Sequence, residues 1–298
     1  MLTKAPPNPR LTILQSELLS NFPWLIHGFS TRAGGCSTCC GRKSDLNLGF
    51  TRHDAHSRVE RNRAAFLEML LGKTAARSFA KSSKIVSLRQ VHSDIIHRVS
   101  FVPEHHLVGD GLLTDTPGLL LAVQTADCLP VILVDVKRHA VGVFHAGWRG
   151  TVKRIVEKGV GEMRRWFGSR AQDLKAAIGP GVHSCCYDVG AEVREKFESQ
   201  FAYSAELFRE VKESDPIREK YPLLFLTARA PGHSELPKKI FLDLVEANRQ
   251  QLLAVGVAKG NIWTSPLCTS CRSDILFSYR AEKGKTGRLM GVVGLRRT

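Results

Sequence analysis

GLLLAVQTADCLPVILVDVKRHAVGVFHAGWRGT, residues 118–151, decides how the chain is read. Leu129 to Asp135 and Ala140 to Phe144 are short runs rich in Val, Ile and Leu, and Val136–Lys137–Arg138–His139 between them is polar enough to turn. Two such runs around a polar tetrad predict a β-hairpin buried on at least one face. In an antiparallel pair closed by that turn, residue 145 falls opposite residue 130 or so. Cys128 and His145 then leave the open end of the hairpin together, about 7 Å apart along the strands at ~3.3 Å per residue. Arg149 follows within the Ala146–Gly147–Trp148–Arg149–Gly150 turn, ahead of a helical pattern opening at Thr151. A thiol, an imidazole and a guanidinium at one mouth predict a chemical site.

Upstream, Trp24 to Phe29 is strand-like and runs into a glycine-bearing turn that carries Arg32. Ala55 to Leu71 has the helical spacing of a surface helix. Lys84 to Val91 alternates as a strand, His92–Ser93–Asp94 turns, and Ile95 to Val99 is expected to return beside it. This sets His92 at a strand end. Gly109–Asp110–Gly111 is another turn. Downstream, Thr151 to Phe167 is helical and Leu174 to Ile178 a strand. Asp188 is placed to cap a helix from Val189 to Phe201. Residues 200–240 are the least patterned and read as a variable excursion. Phe241 to Val255 is helical, Asn261 to Thr264 a strand, and Ile275 to Tyr279 and Leu289 to Leu295 are expected to pair. No repeat or linker interrupts the chain, so a single domain over 1–298 is the simplest organisation.

The totals restrict the class. At 298 residues, 43% hydrophobic and 24% charged, the chain is an ordinary globular protein with material for a large core. Net charge is +15, but the Lys and Arg residues are scattered, and no nucleic-acid module is present. No apolar run reaches the ~18 residues of a membrane span, and MLTKAPPNPR has no apolar signal core, so no membrane partner and a cytoplasmic location are expected. Eight cysteines in that setting predict thiols or metal ligands rather than a disulfide framework.

His92, Cys128 and His145 form the strongest constellation. Each is a good zinc ligand, and three protein ligands leave a fourth position open, as in catalytic sites. Zinc there would lower the pKa of a bound water towards ~7. A His₂Cys set also resembles a copper centre, but no Met stands near it in sequence to serve as axial ligand. Arg149 and Arg32 are candidate anion groups. Asp110 and Asp127, on turns beside the ligands, are candidates to orient an imidazole or to act as acid and base. The same Cys128 and His145 would also serve a cysteine hydrolase. Cys36-x₂-Cys39 and Cys268-x₂-Cys271 lie too far apart for a zinc ribbon.

Together these motifs resemble a known family. Gln90–Val91–His92, Gly109–Asp110–Gly111, Thr125 to Pro130, His145 to Thr151 and Ile178–Gly179–Pro180 are similar to those of the YfiH-like, laccase-domain family, also filed as multicopper polyphenol oxidases. His27 to Arg32, Leu46–Asn47–Leu48–Gly49, Cys185–Cys186–Tyr187, Phe277 to Arg280 and Thr286–Gly287–Arg288 agree in order, so the likeness runs from about residue 25 to 295. Cys36, Cys39 and Cys40 depart from a usually plainer loop, and Asp188 stands where Glu is commoner. The resemblance implies a mixed α/β (α+β) domain, a four-layer α/β/β/α arrangement of mixed sheets. It implies zinc, alternatively copper, on His92, Cys128 and His145, and Arg280 joining Arg32 and Arg149 as a substrate or phosphate group. It implies purine nucleoside phosphorylase activity on adenosine, inosine and methylthioadenosine, with adenosine deaminase activity in the same site. The partners expected are a purine nucleoside and phosphate, with no specific nucleic acid, in a monomer or homodimer. The alternatives are the polyphenol oxidase of the older label and an amidase acting on peptidoglycan precursors.

Overall fold

Pairing in the central hairpin runs from Ala140–Asp135 at its closed end to Ala146–Leu129 at its open end, with His145 opposite Pro130. The computed structural model describes residues 11–38, 42–72, 85–212 and 238–297. In chain order its elements are β1 (Ile13–Leu14), α1 (Glu17–Ser20), β2 (Leu25–Ser30), β3 (Ala33–Ser37), α2 (His56–Leu71), β4 (Ile85–Arg89), β5 (Ile96–Arg98), β6 (Leu107–Val108), β7 (Gly111–Thr114), β8 (Leu120–Thr125), β9 (Leu129–Asp135) and β10 (Ala140–Ala146). There follow α3 (Trp148–Val152), α4 (Ile155–Phe167), β11 (Leu174–Ile178), β12 (Asp188–Val189), α5 (Ala191–Glu198), β13 (Phe208–Lys212), β14 (Lys238–Leu242), α6 (Leu244–Ala254), β15 (Ile262–Thr264) and β16 (Leu289–Leu295). By packing, the chain forms two compact units, Met1–His183 with Leu244–Thr298, and Ser184–Asp243. The second begins before the excursion expected at 200–240.

The larger unit holds two six-stranded sheets, ordered β1-β2-β16-β8-β4-β6 and β15-β11-β9-β10-β7-β5. Both are mixed. β4 is parallel to β8 and β6, while β16 is antiparallel to β2 and β8. β5 is parallel to β7 and β15 to β11, around an antiparallel centre. The sheets stack: Phe29, Val123 and Val293 of the first meet Ile132, Val143 and Ala177 of the second in one buried cluster. Phe66 and Leu67 of α2 close the outer face of the first sheet on Ile26, Leu120 and Val292. Helix α4 closes the second, where Gly159 lies under the Phe144 ring. Covering on both faces explains why every residue of β9 and β10 is buried and why they read as unbroken apolar runs. The expected α/β/β/α layering of mixed sheets is therefore present.

In the smaller unit β14 lies between β12 and β13, antiparallel to both. Phe197 of α5 is buried there, its ring centroid 5.6 Å from Phe201 and 5.7 Å from Phe208. Among the described residues no helix is long and apolar enough to cross a membrane.

Several expectations are corrected. β4 and β5 do not pair with each other; the chain passes from the first sheet to the second between them. Ile275 to Tyr279 forms no strand, and β16 pairs with β2 and β8 instead. Asp188 starts a strand, and Gly190 is the N-cap of α5. Helix 151–167 is two helices: α3 starts at Trp148, and Arg154, at φ +64°, breaks the chain before α4. Phe241 and Leu242 end a strand, and α6 begins at Leu244.

Candidate metal centre

Two of the places where the chain crosses between the sheets carry a candidate ligand. His92 stands between β4 and β5, Cys128 between β8 and β9, and His145 near the end of β10. Their ligand atoms all lie within 4.8 Å of one another. Cys128 Sγ is 3.9 Å from His92 Nε2, and the two imidazoles meet edge to face at 4.9 Å. Gly147 makes room for this: a Cβ there would stand 2.8 Å from Cys128 Sγ and 3.1 Å from His92 Cδ2. Any side chain at 147 would fill the centre.

Asp110 holds two of the three. Its carboxylate accepts from His145 Nδ1 at 2.8 Å, from the backbone N–H groups of Val91, His92 and Ser93 at 3.2, 3.1 and 2.6 Å, and from Ser93 Oγ at 2.7 Å. Three N–H donors on one carboxylate fold the chain around it, and this keeps His92 in the left-handed region at φ +57°. With Nδ1 engaged, His145 has Nε2 left to offer, the tautomer a metal requires. Asp127, at φ +92°, plays the corresponding part beside Cys128: it accepts from Thr269 Oγ1 at 2.6 Å and from the Arg280 N–H at 2.7 Å.

The electrostatics follow. Burial alone would raise the Asp110 carboxyl, but His145 and Ser93 hold it far below the usual carboxylate range. Burial would likewise raise the Cys128 thiol, yet the charge and hydrogen bonds of His145, with His92 beside it, bring it down to about 6. Against burial, Cys128 and Asp110 hold the His145 imidazolium up to about 9. A thiolate and two imidazoles converging in this way form a soft N₂S donor set that suits a zinc or copper ion.

The other predicted residues fall elsewhere or take other partners. Arg149 is exposed, the second residue of α3 rather than a group ahead of a helix at Thr151. Its guanidinium lies 4.5 Å over the Trp148 ring. Arg32 is buried and engaged on all sides. Nε and Nη2 donate to Asp45 at 2.9 and 3.0 Å, and Nη1 donates to Glu282 at 2.7 Å and to the Ser273 carbonyl at 3.1 Å. Arg280 enters through its backbone N–H on Asp127. Cys39 and Cys40 lie outside the described residues. Sequence reasoning missed Ser93 and Thr269. Ser93 was readable as the residue after a turn histidine, but no local signal marks Thr269, 142 residues from its partner.

Two stacked mixed sheets with a His₂Cys centre at their crossings define a recognisable class. Residues 26–296 match the family model described as multi-copper polyphenol oxidoreductase laccase, and the chain belongs to that family. It is 36% identical over 289 residues to the purine nucleoside phosphorylase of Deinococcus radiodurans, across 97% of this chain and 95% of that protein. It is also 36% identical to adenosine deaminase RL5 of an unknown prokaryotic organism over 179 residues, 60% of this chain and 59% of that one. The crystal structure of YfiH from Bacillus licheniformis superposes with a TM-score of 0.76 at 32% identity, covering 97% of this chain and 98% of the other.

Proposed function

We propose that the protein is a metal-dependent purine nucleoside phosphorylase that also deaminates adenosine, with zinc on His92, Cys128 and His145. The observation that carries this reading is the convergence of three soft donors on one point, one of them oriented by a buried carboxylate. The names of the relatives support the substrate class. A set of three ligands holds one ion, whereas a laccase reducing dioxygen to water uses several coppers, so the oxidase reading is the weaker one.

Phosphorolysis joins a phosphate oxygen to ribose C1′ and breaks the bond from C1′ to the purine nitrogen, giving ribose 1-phosphate and the free base. Zinc, when bound, supplies a Lewis acid beside the purine. The chain supplies the rest. Arg149, exposed and meeting no carboxylate among the described residues, is the group we assign to phosphate, with the Arg280 side chain as a second. Arg32 has no nitrogen left for phosphate, and we assign it to the fold. Asp110 and Asp127 accept from protein donors with both oxygens. We therefore assign them to holding the ligands rather than to moving protons.

His145→Ala is expected to lose inosine phosphorolysis and adenosine deamination together, along with bound zinc. Wild-type turnover of inosine by that variant would refute a shared site. A second reading has one observation in its favour. Cys128, His145 and Asp110 also line up as thiolate, imidazole and orienting carboxylate, the arrangement of a cysteine hydrolase. His92 on the same sulfur argues for metal, since a hydrolase needs one imidazole there. Iodoacetamide separates the two: metal-bound Cys128 reacts only after chelation, a free nucleophile at once.

A further inference from the structure

Cys128 lies off both ladders. Pairing in the first sheet ends at Thr125–Leu289, and pairing in the second begins at Leu129–Ala146. The crossing Ala126–Asp127–Cys128 therefore takes its shape from other contacts, and it is bent sharply by the left-handed backbone of Asp127 at φ +92°. A non-glycine residue in that region is strained and persists only where the surroundings over-determine it.

The surroundings here are a closed ring of hydrogen bonds. The Asp127 carbonyl accepts from Val182 N at 2.8 Å, the Gly181 carbonyl accepts from Thr269 N at 2.9 Å, and the Thr269 hydroxyl returns to Asp127 Oδ1 at 2.6 Å. Thr269 is fully buried. Gly181 lets the segments close: a Cβ there would stand 2.9 Å from the Asp127 carbonyl oxygen. The second carboxylate oxygen of Asp127 is taken by Arg280 N. The Thr269 hydroxyl is thus a buried side-chain donor that helps fix which way the Asp127 carboxylate, and with it the turn into Cys128, is held.

We propose that Thr269 is a positioning residue for the Cys128 ligand, acting through Asp127. The inference rests on the reading of Cys128 as a metal ligand. It parallels what Ser93 and Asp110 do for His92: each ligand on a crossing between sheets is set by a buried aspartate, and each aspartate takes one hydroxyl and at least one backbone N–H.

The test uses metal-free full-length protein titrated with cobalt(II) and with zinc. Two readouts are taken, affinity by competition with a chromophoric chelator and the cobalt–thiolate charge-transfer absorbance. Thr269→Val, which keeps the shape and removes the hydroxyl, is expected to weaken binding by roughly tenfold, the lower end for loss of a supporting partner, and to shift the band. Thr269→Ser restores both. Asp127→Gly relieves the positive φ while deleting the clamp, so it behaves as Thr269→Val does; it carries the test should the valine variant fail to fold. Wild-type affinity and an unshifted band in Thr269→Val, no rescue by Thr269→Ser, or wild-type binding by Asp127→Gly would each overturn the proposal. Absence of the charge-transfer band in the wild type fails the metal reading itself, and the inference with it.

Discussion

Two buried clusters of titratable side chains stand in the larger unit, and they differ in what their lone pairs do. Around Arg32 everything is matched. Its guanidinium fork meets Asp45 and Glu282, its face lies 4.9 Å over the Phe277 ring, and the far oxygen of Glu282 accepts from Thr286. Around His145 three groups meet one another instead: Cys128 Sγ, His92 Nε2 and the remaining nitrogen of His145 converge, and the protons they share are ones a metal ion would displace. A cluster whose hydrogen bonds all close is a fastening. A cluster that leaves soft lone pairs converging, and orients them with a carboxylate behind, is a site for something absent from the chain.

That contrast predicts opposite losses. His92→Ala removes an exposed ligand, so metal affinity is expected to fall by more than about 100-fold, beyond what loss of a supporting partner does. The thermal stability of the metal-free protein should move by less than about 0.5 kcal/mol. Arg32→Met leaves buried Asp45 and half-buried Glu282 without the guanidinium they share, at a cost of about 3 kcal/mol in denaturant unfolding, while folded molecules keep their metal. A metal defect in Arg32→Met at temperatures where it is folded would erase the distinction.

Histidine sharpens the same comparison. His27 and His145 are both buried, yet burial with no anion facing it lowers His27 to about 4, while Cys128 and Asp110 raise His145 to about 9. Between pH 6.5 and 4 the unfolded chain binds a proton at residue 27 that the folded chain refuses. The contribution of His27 to stability is therefore full above pH 6.5 and is lost, by about 3 kcal/mol, as pH drops to 4. His27→Gln should flatten that slope; an unchanged slope would show that other groups carry it. A further test is Asp110→Asn, which keeps the outline but loses the charge behind His145 and sets an NH₂ group against donors that the carboxylate now accepts from. Metal affinity should fall by roughly 10- to 100-fold, or about 1.4–2.8 kcal/mol, read by zinc competition.

How much of this was legible in the sequence depended on how local the cause was. The β9–β10 hairpin and its approximate register were readable, because a short polar turn between two apolar runs sets the pairing, although the second strand runs two residues beyond Phe144 to Ala146. The candidate ligands His92, Cys128 and His145 were readable as His and Cys at strand ends, and their ligand atoms do converge. The partnership of β4 and β5 was not, because adjacency in sequence favours a hairpin and nothing in Gln90 to Ile95 says that the chain changes sheet there. Asp110 and Asp127 were visible as carboxylates beside ligands. Their role turns on backbone N–H groups and on hydroxyls distant in sequence, which composition and spacing do not encode. Arg32 misled for the same reason: a guanidinium in a glycine turn looks free until residues 45 and 282 arrive.

The most direct measurement is a zinc titration of metal-free protein, following phosphate-dependent inosine cleavage and Cys128 alkylation in the same samples. We expect activity to rise linearly and alkylation to vanish in parallel, both reaching their plateaus at a single equivalent of zinc. Full phosphorolysis in chelated protein, or zinc uptake that leaves Cys128 open to iodoacetamide, would contradict the account.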